Sequence, residues 1–108
     1  MAKSSTGLDE NIAGLLCYLF GWITGLVFLL IEKDSKFVKF HAIQSIVVFG
    51  ALSVVAIVVS WIPLLGSVLG GLLGILGLVL WIILMIKAYQ GARFKLPIAG
   101  DIAEKQSL

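Results

Sequence analysis

The sequence predicts an all-α polytopic membrane protein, a bundle of three transmembrane helices. Two observations carry that fold class. From Phe40 to Ile86 the chain runs 47 residues without an Asp, Glu, Lys or Arg. As one helix this run would extend roughly 70 Å, more than twice a hydrocarbon core of about 30 Å. It therefore predicts two crossings with a turn between them. A second uncharged run, Asn11 to Ile31, lies between Glu10 and Glu32 and has the 21 residues that suit a third crossing.

Taken in order, Met1 to Gly7 is polar, and Thr6 or Asp9 is placed to cap the first helix. Span one is read as 11–31, span two as 41–62 and span three as 64–86, in one transmembrane domain covering 1–108. The connection 32–40 reads EKDSKFVKF, and the tail 87–108 is polar again. Trp61-Ile62-Pro63 breaks the long run, because proline has no donor and cannot continue a helix unperturbed. In the tail, Asp101 and Glu104 suit the start of a short surface helix. The Val/Ile-rich stretch Ile46 to Val59 does not alternate as a barrel strand would, and a helix in lipid satisfies its own backbone. Span one is too long and too acidic at its start for a cleaved signal peptide.

Composition agrees. The chain is 60% hydrophobic and 13% charged, against about 25% charged in soluble domains. A net charge of +2 gives no electrostatic support for nucleic-acid binding. Cys17 is the single cysteine, so no intramolecular disulfide forms. Three spans would put the termini on opposite sides. Lys33, Lys36, Lys39, Lys87, Arg93, Lys95 and Lys105 would then share one face, with Lys3 alone on the other. The positive-inside rule predicts an outside N-terminus and a cytoplasmic loop and tail in a multi-pass cell-membrane protein.

Two glycine seams stand out. Gly66, Gly70, Gly74 and Gly77 lie within an arc of roughly 80° on span three. Gly14, Tyr18, Gly21 and Gly25 form a 3.5-residue repeat on span one. Small residues let helix backbones approach in lipid. The seams suit packing within one subunit, contact between copies, or both. The polar residues of span two are His41, Gln44 and Ser45, at its cytoplasmic start. They read either as an interface cluster that fixes the helix start and bonds the tail, or as a proton or ligand site. Lys33, Lys36 and Lys39 set topology and suit anionic lipid headgroups. No metal-ligand spacing or reactive constellation appears, so no enzyme, cofactor, metal or small-molecule substrate is predicted. The partners expected are membrane lipid and either further copies or other membrane proteins.

Two segments carry a resemblance. FVKFHAIQS, Phe37 to Ser45, and AYQGARFKLPIAGDIAEK, Ala88 to Lys105, resemble a small prokaryotic membrane protein family of unknown function. That family is related to the twenty-kilodalton component of the chloroplast inner-envelope import translocon. The matching positions are Phe37, Phe40, His41, Gln44, Gly91, Pro97 and Gly100. The plastid members have four spans, where this chain reads as three. The glycine seams suggest a scaffold that works through helix–helix contact; the resemblance implies a protein-translocation-associated subunit, with docking of the tail on span two as a joint role for these positions. A small oligomeric channel or transporter is the alternative, with His41, Gln44 and Ser45 at a mouth.

Overall fold

The computed structural model describes residues 3–96 and 98–106. Five helices follow in order: α1 (Glu10–Leu19), α2 (Trp22–Ile31), α3 (Lys36–Ser60), α4 (Leu65–Tyr89) and α5 (Ala99–Gln106). α3 and α4 are an antiparallel pair joined by the turn after Trp61. Each has 25 residues, about 38 Å of helix. Both are long and apolar enough to cross a membrane. Only 28% of the most apolar stretch of α3 is buried, and 6% of that of α4. Helices at the heart of a soluble domain would be covered; these present their aliphatic side chains outward.

The expected third span is not formed. Among the described residues two helices can span, not three, because the run 11–31 is broken at Phe20-Gly21 into two ten-residue helices. Each is about 15 Å long, half of a hydrocarbon core. Gly21 adopts φ +63° and ψ −135°, a backbone state that L side chains rarely enter. Thr24 completes the corner. Its hydroxyl donates to the Cys17 carbonyl at 3.1 Å and accepts from the Phe20 amide at 3.1 Å, which serves backbone groups that a helix end leaves orphaned.

Contacts show that the chain reverses at this corner. Glu10 bonds Ser35, Cys17 bonds the Val38 carbonyl, and the Gly21 carbonyl accepts from Ser45, so α1 runs parallel to α3. α2 returns: Gly25 packs on Ala42 and Ser45, and Glu32 ends beside Ser5 and Ser35. The two short helices form a re-entrant hairpin against the first half of α3. α1 also lies antiparallel to α4, with Asn11 donating to the Tyr89 carbonyl at one end and the Trp81 indole donating to the Tyr18 carbonyl at the other.

α3 begins at Lys36, five residues earlier than the sequence suggested. Ser35 is its N-cap and accepts from the Val38 amide at 3.2 Å, so Lys36 and Lys39 belong to the helix itself. α5 folds back on α3, with fully buried Ala103 against Phe40 and Ile43. The buried core therefore collects at one end of a molecule 48 Å long and 21 Å across. The other end is a bare two-helix hairpin with Val54, Ile57, Val58, Leu65 and Val68 exposed.

This arrangement changes the disposition of charge. Residues 3–11 lie with Glu32, Ser35 and Tyr89 at the same end as the tail. The opposed termini expected from three spans do not follow from two. All eight Lys and Arg residues gather at the broad end, and the turn Trp61–Leu64 carries none.

Candidate functional site

The polar residues at the start of α3 meet the tail in one closed knot. His41, Gln44, Ser45 and Tyr18 are all fully buried. His41 and Ser45 share a face of α3 by their four-residue spacing, while α1 brings Tyr18 across to them. The His41 Nε2 lies 3.0 Å from the Ala92 carbonyl. A carbonyl only accepts, so Nε2 carries the proton and Nδ1 is the acceptor. The Tyr18 hydroxyl, 2.6 Å away, therefore donates to Nδ1. Its lone pair accepts from Gln44 Nε2 at 3.1 Å. Gln44 Nε2 also donates to the Phe94 carbonyl at 2.8 Å, and Gln44 Oε1 accepts from the Leu96 amide at 3.0 Å.

Two side chains of α3 thus hold three backbone groups of residues 92–96. Three rings enclose the imidazole edge-on: Phe37 at 4.5 Å, Phe40 at 5.2 Å and Tyr18 at 5.4 Å between centroids. Ser45 donates to the Gly21 carbonyl at 2.8 Å and so ties the re-entrant corner to the same helix. Every side-chain donor of this knot has an acceptor, and its four side chains are closed off from solvent. Its chemistry is holding, with the tail fastened across the start of α3.

The other sequence-selected residues are distributed as follows. A Cβ on Gly14 would come within 2.9 Å of the Phe37 ring, and one on Gly25 within 2.9 Å of the Ala42 carbonyl. A Cβ on Gly66 would meet the Val59 carbonyl at 2.7 Å, so it serves the α3–α4 turn. Gly77 is in ordinary contact with Leu52, while Gly70 and Gly74 face open space. Gly100 is pressed against Lys95, where a Cβ would lie 2.5 Å from the Lys95 Cβ. Pro97 lies outside the described residues. Lys33 and Lys36 are exposed, and Lys39 reaches back to the Lys33 carbonyl at 3.1 Å.

Sequence reasoning missed Glu32 and Ser35. Glu32, read as the polar end of span one, is a buried cap between α2 and α3. Burial alone would raise its pKa, but amide donors from Ser35, Ser5 and Asp34 outweigh that and hold the carboxyl at about 2. The signal was Asp34-Ser35 before an apolar run, a helix-start pattern. Among the described residues no three His, Cys, Asp or Glu side chains come together to hold a metal ion.

Two apolar helices of spanning length, a re-entrant hairpin and a latched basic end define a small helical integral membrane protein. The sequence comparison places it more closely: residues 8–103 match the magnetosome magnetite crystal formation protein family, and the chain belongs to that family. A UPF0132 membrane protein of Methanocaldococcus jannaschii is 58% identical over 107 residues, covering 99% of this chain and 96% of its own length. A second from the same organism is 52% identical, covering 92% of this chain and 71% of the relative. A UPF0132 membrane protein of Archaeoglobus fulgidus is 48% identical, covering 92% and 96%. No solved structure matches. These matches overturn the resemblance to relatives of the chloroplast import component. FVKFHAIQS and the tail motif belong to a different family, and the translocon role inferred from them falls with it.

Proposed function

We propose that this protein is a membrane scaffold without enzymatic activity, which assembles with further copies through the glycine face of α4. The observation that carries this reading is the contrast among its glycines. Gly14, Gly25 and Gly66 meet close neighbours of their own chain, whereas Gly70, Gly71 and Gly74 have nothing within 4 Å. They lie on the half of the hairpin that the short helices do not cover. Gly70 and Gly74 line a groove of about 510 Å³ with Phe20, Trp22 and Ser53. In lipid, helix association depends on close backbone approach, which small residues permit. A bare glycine face with bulky aliphatics around it is suited to a second helix.

The gathering of all basic residues at the broad end supports an orientation with that end cytoplasmic. Both termini then lie inside, with Lys33 and Lys36 placed at anionic headgroups. The family description speaks of magnetite crystal formation; our reading rests on the helices and assigns no mineral contact to this chain. The channel alternative gains no support, since its lining residues His41, Gln44 and Ser45 are buried and bonded to Tyr18, the Gly21 carbonyl and the tail backbone.

Disulfide trapping tests the proposal. In a background with Cys17 replaced by alanine, a Gly74→Cys variant in native membranes should form a crosslinked dimer under mild oxidation. Adding Gly70→Ile should reduce that product at least fivefold while leaving the helix content unchanged. A chain that stays monomeric, or crosslinks equally well from Val54, would remove the proposed face.

A further inference from the structure

Glu32 is only 3% exposed. Its Oε2 accepts from the amides of Ser5 at 2.9 Å, Asp34 at 3.1 Å and Ser35 at 3.0 Å. Its Oε1 is buried too, and among the described residues it has no hydrogen-bond partner. A second carboxylate stands beside it. The Ser35 hydroxyl donates to Glu10 Oε2, so Glu10 and Glu32 are held on the hydroxyl and the amide of one serine. Glu10 is partly exposed and gives the place an opening to water.

Among the described residues no cation answers these charges. Lys3 pairs with Asp9 at 3.4 Å, and Lys39 is turned to the Lys33 carbonyl. Among the described residues no basic side chain comes within ion-pair distance of Glu10 or Glu32. An ionised oxygen taken from water without a partner is costly, and a neighbouring like charge adds to the cost. Two carboxylates with further positions left to water are the ligand chemistry of a small hard cation such as Mg²⁺.

We propose that Glu32 Oε1 and the Glu10 carboxylate bind a hard divalent cation, which fastens the open ends of the re-entrant hairpin to the start of α3. The site uses no residue of the His41–Gln44 knot and does not depend on assembly between copies. Its test uses the full chain in nanodiscs, stripped with chelator and titrated with MgCl₂ or CaCl₂ alone. We expect saturable uptake of one ion per chain and a rise in the unfolding midpoint on the order of 5 °C. E10Q and E32Q should each weaken uptake at least tenfold. E32Q keeps acceptors for the three amides, and its new amide can donate to Glu10, so the fold should persist without the ion. Should E32Q fail to fold, E10Q decides. The proposal is overturned if the wild type takes up no ion saturably or if E10Q binds as the wild type does. KCl of equal ionic strength reproducing the whole midpoint rise would overturn it equally.

Discussion

Gln44 shows how one side chain in lipid can decide where a tail goes. Its amide makes three bonds, to the Tyr18 hydroxyl, the Phe94 carbonyl and the Leu96 amide. Replacing it with leucine keeps the volume but leaves two backbone groups of the tail unpaired, at about 1–3 kcal/mol each. Gln44→Leu should therefore release residues 92–96. We expect hydrogen exchange at the Leu96 amide to speed up at least tenfold, with the amides of α4 unchanged. Protection of Leu96 equal to the wild type would mean that the bonds do not hold the tail. The polar half of this knot was legible, since His41, Gln44 and Ser45 stand out in an apolar run. Its other half was not, because the carbonyls of Ala92 and Phe94 are backbone and carry no sequence signature.

At the level of the element, the α3–α4 pair could be read directly: a long charge-free run with a proline in the middle has few other solutions in lipid. The re-entrant hairpin could not. Gly21 inside an apolar stretch reads equally as a small packing residue or as a corner with positive φ. What chooses between them is Ser45 and Phe49 on another helix. The helix start at Lys36 was obscured for a different reason: lysines marked the membrane edge, and the helix runs past that edge to its Ser35 cap. The hairpin's return arm depends on Gly25, whose Cβ position lies 2.9 Å from the Ala42 carbonyl and 3.0 Å from the Ser45 Cβ. Gly25→Val should push α2 off α3 at a cost of about 1–3 kcal/mol. A loss of thermal midpoint with α3 and α4 still protected in exchange would show it; an unchanged midpoint would mean that α2 does not pack there.

For the whole molecule, the two long helices and the short-helix hairpin place both ends of the described chain beside each other. Single cysteines at Ser4 and Lys95, in a background with Cys17 replaced by alanine, should react with an impermeant maleimide from the same side of sealed vesicles. A cysteine at Leu64, which is 89% exposed at the opposite turn, should react only from the other side. Labelling of Ser4 and Lys95 from opposite sides would restore a third crossing and contradict the hairpin. The eight basic residues at one end and none at the other favour a single insertion orientation over a mixed population.

The latch on residues 92–96 also bears on biosynthesis. When α3 first enters the bilayer, Tyr18 has already been made and can serve His41 Nδ1 and one Gln44 proton. The backbone partners of His41 Nε2 and of the remaining Gln44 groups, at Ala92, Phe94 and Leu96, have not yet left the ribosome. Two buried polar side chains must wait, with water or headgroups as temporary partners, until residues 92–96 are synthesised. Maturation of the bundle is thus tied to synthesis of that segment, and a product truncated before Ala92 keeps its hydrophobic hairpin while its base stays unsealed.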